Sequence, residues 1–263
     1  MDLGLKGKVA LVAAASKGLG RAVAEELAAE GAALLLCARG QDDLQTACAA
    51  IAAAHGVPVF GVAANVADPA DVARVVQAAH AHFGRVDVLV TNAGGPPAGT
   101  FDALSPEQWQ AATSLLLTSV VELTRAVLPG MKERGWGRIL NITSISVKQP
   151  VANLMLSNSL RAAVTGMART LATEVAPFGI TVNNILPGYT RTERVVSLAE
   201  STAAKEGISA ADATARWENE IPMRRLGEPR EFAALAAFLC SERASYITGT
   251  SVPVDGGWIR GLL

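Results

Sequence analysis

Residues 8–20 read Lys-Val-Ala-Leu-Val-Ala-Ala-Ala-Ser-Lys-Gly-Leu-Gly. The run from Lys8 to Ala14 is apolar after its first residue, without polar alternation, and breaks at Ser16-Lys17-Gly18, as a strand buried on both faces does. A helix is predicted next, because Leu19, Val23 and Leu27 recur every four residues and Gly31 stops the pattern. Strand, small-residue loop and helix together make a cradle for phosphate. Small residues let the backbone approach a pyrophosphate, and the helix N-terminus offers N–H groups and a partial positive charge. A glycine pair alone is weak evidence; this order at the head of the chain is much stronger.

The same rhythm continues outward. Buried strands are expected at 33–38, 57–63, 86–91, 138–143 and 180–186, with a short last one at 252–254. Helices are expected at 41–54, 69–83, 106–134, 151–176 and 229–240. Strict alternation without linker, repeat or low-complexity segment predicts an α/β fold: a single-domain Rossmann architecture over residues 1–263. Its doubly wound parallel sheet has about seven strands, with helices on both faces. Residues 190–221 interrupt the rhythm. They are helix-prone and follow a strand's carboxyl end, where open α/β sheets bind ligands, so a substrate lid is expected there.

Composition narrows the function classes. Of 263 residues, 50% are hydrophobic and 18% charged, with net charge −1, which excludes disorder and provides no field for nucleic acid or an anionic membrane. No run of some eighteen apolar residues stands out as a membrane span, and the N-terminal residues do not look like a signal peptide. Cys37, Cys48 and Cys240 are far apart and form no CxxC pair. A cytoplasmic protein without disulfides is expected. His80 and His82 are two apart and share no helix face, so no metal site is expected.

The motifs resemble the short-chain dehydrogenase/reductase family along essentially the whole chain, with similarity to its 3-oxoacyl-ACP reductase-like members. Ala13, Ala14, Gly18 and Gly20 stand on that family's TGxxxGxG turn. Asn92-Ala93-Gly94 matches its NAG turn, Asn141–Ser144 the segment ending in its catalytic Ser, and Pro187-Gly188 its PG turn. Arg225-Leu226-Gly227 with Pro229, and Thr248-Gly249 with Asp255-Gly256-Gly257, match its C-terminal signatures. The resemblance implies a dinucleotide on Ala14, Ser16, Lys17, Gly18, Leu19 and Gly20. Asn65 and Val66 would flank the adenine, Asn92, Ala93 and Gly94 the adjoining ribose, and Pro187, Gly188 and Thr192 the nicotinamide end. Ala14 departs from the family's glycine, which is harmless if φ is negative and strained if φ is positive. NAD-preferring relatives carry an acid at the end of the second strand. Here Ala38 is followed by Arg39, and Lys17 is a second cation, so NADP(H) is expected.

The catalytic positions break the resemblance. The family uses Ser with a YxxxK helix pair and an Asn on the preceding helix; the Lys⁺ one turn from the Tyr lowers the phenol's pKa. Counted from Ser144, the Tyr place is Ser157 and the Lys place Arg161, while the Asn place is Leu116. An aliphatic hydroxyl is a poor acid, and Arg161 keeps its proton; Arg161 can still clamp cofactor ribose. Tyr189, Lys148 or a water held by Ser144 and Ser157 are the candidate proton sources. Three readings follow: an atypical hydride-transferring oxidoreductase on a carbonyl or secondary alcohol, non-redox elimination or isomerisation, and a non-catalytic NADP(H) sensor. By resemblance, helices 106–134 and 151–176 pair subunits into a homotetramer or homodimer. The apolar C-terminus (Trp258, Ile259, Leu262, Leu263) offers a further contact.

Overall fold

Alternate residues of the first strand leave to opposite faces, and both faces are covered. Ala10 and Val12 enter one core cluster with Leu34, Leu36 and Phe232, while Leu11 and Ala13 enter another with Leu35, Leu89, Leu123 and Val182. That is why the run contains no polar residue. The computed structural model describes residues 2–262. Its strands are β1 (Val9–Ala13), β2 (Ala33–Ala38), β3 (Val59–Ala63), β4 (Val88–Thr91), β5 (Gly137–Ile142), β6 (Ile180–Pro187) and β7 (Ser251–Val254). They form one sheet ordered β3-β2-β1-β4-β5-β6-β7, parallel throughout. The expected doubly wound α/β sheet is present. Its order reverses between β1 and β4, which opens a crevice at their carboxyl ends.

The helices are α1 (Gly18–Ala29), α2 (Gln41–His55), α3 (Pro69–Phe83), α4 (Pro106–Thr113), α5 (Ser119–Arg134), α6 (Met155–Val175), α7 (Glu193–Glu206), α8 (Ala210–Glu220) and α9 (Pro229–Leu239). Residues from α1, α2 and α9 cover one face, and residues from α3, α5 and α6 the other. Local signals set several starts. Asp68 caps α3 through Ala70 N–H with Pro69 behind it, and Ser105 and Gln108 close a capping box on α4. The expected helix at 151–176 begins only at Met155, because Asn153 takes φ +60°, which a right-handed helix cannot include.

The run 106–134 also corrects an expectation. It is a continuous helical stretch, α4 and α5 joined by a π turn at Ser114–Thr118, and by length and composition it is apolar enough to cross a membrane. Within the fold its apolar side is used internally: Leu123, Val127 and Met131 are buried in the core on that face of the sheet. Trp258 is likewise 9% exposed within its own chain, packed with Leu186, Ile221 and Leu226, whereas Leu262 is fully exposed. Leu263 lies outside the described residues.

A polar ladder crosses the sheet just below the crevice. Thr91 Oγ1 donates to Asn141 Oδ1 at 2.7 Å, Asn141 Nδ2 to Asn184 Oδ1 at 3.1 Å, and Asn184 Nδ2 to Ser251 Oγ at 3.1 Å. These four residues are register partners on β4, β5, β6 and β7. Buried side-chain amides tolerate no slip in such an arrangement, so the ladder fixes how the loops bearing Asn92, Ser144 and Gly188 stand relative to one another.

Candidate active site

Two adjoining cavities occupy the crevice. One, of about 540 Å³, is lined by Ser16, Lys17, Ala38, Arg39, Asn65 and Val66 among others. The second, of about 390 Å³, holds Gly18, Leu19, Ser144, Ser157, Arg161, Pro187, Gly188 and Thr192. Ala14, Lys17, Ala93, Gly94 and Gly95 line both, and Asn92 the second. Nearly all the residues expected from the sequence to bind cofactor are thus brought together.

The loop after β1 settles the question raised by Ala14. Its φ is +50°, the left-handed region in which a Cβ is strained. Gly20 is placed differently from the rest: it does not line the cavity but packs under the loop, where an added Cβ would stand 2.3 Å from the Ala14 carbonyl oxygen. Gly20 therefore permits helix α1 to approach the loop. The N-terminus of α1 has no side-chain cap and no acid in its first turn, and Thr192 at the start of α7 makes no cap hydrogen bond either. Two helix N-termini thus leave free N–H groups at the crevice, and the bare, uncapped loop fits a dinucleotide pyrophosphate.

At the adenosine end Arg39 is exposed and makes no ion pair among the described residues. Lys17 is not free. Its ammonium lies 3.0 Å from Asp43 and 3.7 Å from Glu193, and the Asp43 carboxylate foremost holds its pKa up. The expectation of two cations without an acid needs this correction: Asp43, in the first turn of α2, lines the same cavity. Its place close after Arg39-Gly40 was visible in the sequence; its reach to Lys17 was not.

At the other end Ser144 and Ser157 present two hydroxyls in matched states. Ser144 Oγ accepts from Ser146 N–H at 3.1 Å, and Ser157 Oγ accepts from Arg161 Nε–H at 3.2 Å. Each oxygen is held as an acceptor, so each hydroxyl proton is left to donate. Arg161 also donates from Nη1 to the Ile142 carbonyl at 3.0 Å, which ties α6 to the end of β5. Burial, and then the charge of Arg194, pull the Arg161 guanidinium down to about 10, so it remains a cation at neutral pH.

The alternative proton donors lie elsewhere. Tyr189 lines a neighbouring cavity, stacked on Trp217 at 5.0 Å and edge-on to Trp258. Burial raises its pKa, with Glu220 adding to the effect. Lys148 is exposed and does not line the serines' cavity, and Leu116, at the place of the family's Asn, is buried and carries no polar group. Residues 193–206 and 210–220 form the two helices of the expected lid, and Glu193, Arg194, Val195 and Leu198 line the cavity from α7. Arg194 was not anticipated; no spacing rule marks it.

Comparison with known proteins agrees with this geometry. The family profile described as Enoyl-(Acyl carrier protein) reductase matches residues 13–259. The chain is 36% identical over 255 residues to the 3-oxoacyl-(acyl-carrier-protein) reductase FabG of Escherichia coli, covering 97% of this chain and 98% of that protein. It is 35% identical over 257 residues to the D-beta-hydroxybutyrate dehydrogenase of Cupriavidus necator, covering 97% and 99%. The crystal structure of L-sorbose reductase from Gluconobacter frateurii, complexed with NADPH and L-sorbose, superposes over 100% of both chains with TM-score 0.95 and 38% identity. On its sequence match, its sheet order and its paired cavities, the chain belongs to the short-chain dehydrogenase/reductase family of oxidoreductases.

Proposed function

We propose that this protein is an atypical NADP(H)-dependent oxidoreductase that moves hydride between the nicotinamide and the carbon of a carbonyl or secondary alcohol. The observation that carries the reading is the pair of hydroxyls, Ser144 and Ser157, held as acceptors with their protons free beside the Arg161 cation. When bound, NADPH supplies the hydride and leaves as NADP⁺, while the carbonyl carbon gains a C–H bond and its oxygen gains negative charge. Both serine hydroxyls donate to that oxygen, and Arg161 stabilises the charge from behind Ser157. The alkoxide that would form takes its proton from a water held between the two hydroxyls, and exchange with bulk solvent replaces that proton. Arg161 keeps N–H donors beyond the two it spends on Ser157 and Ile142, and these clamp the nicotinamide ribose. Ser157 and Arg161 stand where the family carries Tyr and Lys. Arg39 receives the 2′-phosphate, with Lys17 shared between that phosphate and Asp43.

Titration with NADPH and NADH tests the cofactor, with NADPH expected to bind at least tenfold tighter. Transfer of deuterium from one face of 4-deuterated NADPH to a ketone product tests the chemistry. A second reading is favoured by one observation: the Arg161 cation, hydrogen-bonded among the described residues only to the neutral Ser157 hydroxyl and Ile142 carbonyl, stands where it would stabilise an anionic intermediate. It is an elimination or isomerisation, and it predicts substrate conversion without net change in NADPH absorbance. Binding without any turnover supports a cofactor sensor instead. Exposed small residues on α5 and α6, among them Ala126, Ala162, Ala163 and Gly166, suit pairing into a homodimer or homotetramer in the cytoplasm. Light scattering tests the assembly.

A further inference from the structure

The serines' cavity is unevenly charged. Arg161 has no carboxylate partner among the described residues; its hydrogen bonds go to the neutral Ser157 hydroxyl and Ile142 carbonyl. Arg194, in the first turn of α7, lines the same cavity and makes no ion pair among the described residues. Glu193, which lines this cavity too, is paired with Lys17 at 3.7 Å, and Glu228, beside the neighbouring cavity, is paired with Arg191 at 3.1 Å. Arg194 does not line the cavity that holds Arg39 and Asn65.

The Arg194 guanidinium is laid over Gly95. A Cβ built on that glycine would stand 3.0 Å from Nη2 and 3.2 Å from Nε of Arg194. Gly95 has no positive φ, so the glycine serves space, not conformation. The turn is bare where the guanidinium crosses it. Arg194 also lowers the Arg161 pKa through space, so the two cations sense each other. Like charges facing across a partly desolvated cavity are unfavourable until an anion joins them.

We propose that the substrate is an oxo acid whose carboxylate docks on Arg194 while its carbonyl oxygen lies against Ser144 and Ser157. This rests on the carbonyl-reduction reading of the same cavity. The planar fork of an arginine matches a carboxylate with two parallel N–H···O bonds, which a neutral ester cannot reproduce. The substrate class is thereby set by charge as well as by shape.

Benzoylformate and its methyl ester present one ketone and differ by one negative charge. Calorimetric titration of the NADP⁺-loaded protein, in which the ketone is not reduced, is expected to show at least tenfold tighter binding of the acid. Arg194→Gln should cut the acid-to-ester affinity ratio by ~10- to 100-fold, the scale of a charged hydrogen bond. NADPH affinity should stay within about twofold, and Arg194→Lys should recover part of the ratio. Equal binding of acid and ester by the wild-type protein overturns the proposal. An equal loss of NADPH affinity in Arg194→Gln also overturns it, by placing Arg194 on the cofactor's pyrophosphate. Preferential binding of the acid without its reduction upholds the anion site and removes the carbonyl-reduction reading.

Discussion

Ala14 and Gly20 meet at one contact, and substitutions there should act in opposite directions. Ala14 holds φ +50° at the end of β1, and an L-residue in the left-handed region costs about 1–2 kcal/mol relative to glycine. Ala14→Gly removes that strain but loosens the unfolded chain, which returns roughly 0.4–1 kcal/mol. The net expectation is a stabilisation of about 0.5–1 kcal/mol, or about 1–4 °C in Tm for a domain of this size. Gly20→Ala does the reverse. Its Cβ would stand 2.3 Å from the Ala14 carbonyl oxygen, a backbone atom that cannot swing aside, and 2.9 Å from Asn92 Nδ2. Overpacking of that kind costs ~1–3 kcal/mol. It also pushes the loop into the crevice, so NADPH affinity should fall at least tenfold. Thermal melts followed by circular dichroism, with and without NADPH, measure both. A lower Tm for Ala14→Gly would refute the reasoning, since it would mean that the methyl group packs better than the backbone is strained. Unchanged NADPH affinity in Gly20→Ala would refute the claim that this contact sets the loop.

Three further outcomes are expected. Ser144→Ala should lower turnover by ~10²–10³-fold through loss of an oxyanion donor. It should also cost about 1 kcal/mol of stability, because Ser144 caps the turn at Ser146; steady-state kinetics and a melt separate the two effects. Ser157→Tyr with Arg161→Lys should raise kcat on simple ketones at least tenfold and introduce a pH dependence below the ordinary phenol pKa of about 10. No gain would show that the missing acid is not what limits the reaction. Asn141→Leu should cost ~2–5 kcal/mol, as Thr91 and Asn184 each lose a buried partner, and a urea titration reads it directly.

The fold was legible because its signals are local. Apolar runs bounded by small residues marked the strands, four-residue spacing marked the helices, and strict alternation left a doubly wound parallel sheet as the consistent arrangement. The motif turns marked most of the cofactor crevice for the same reason: Ala14, Asn92 and Gly188 follow directly on strand ends, and the sheet brings those ends together. Helix 151–176 was misplaced at its start because the left-handed turn at Asn153 carries no warning in an otherwise helical pattern.

Electrostatics, by contrast, was settled by folding. Lys17 and Arg39 read as two free cations, but the first turn of α2 carries Asp43 to within 3.0 Å of Lys17. Tyr189 follows the PG turn yet stacks on Trp217 beside a neighbouring cavity, since α8 folds back over it. Arg194 belongs to no motif, and only the placement of α7 over Gly95 brings it to the serines' cavity. Chain order constrains backbone hydrogen bonding over a few residues, so elements and turns are readable from it. Charge pairing acts through space between segments far apart in sequence, 176 residues for Lys17 and Glu193, and only the packed chain sets those distances.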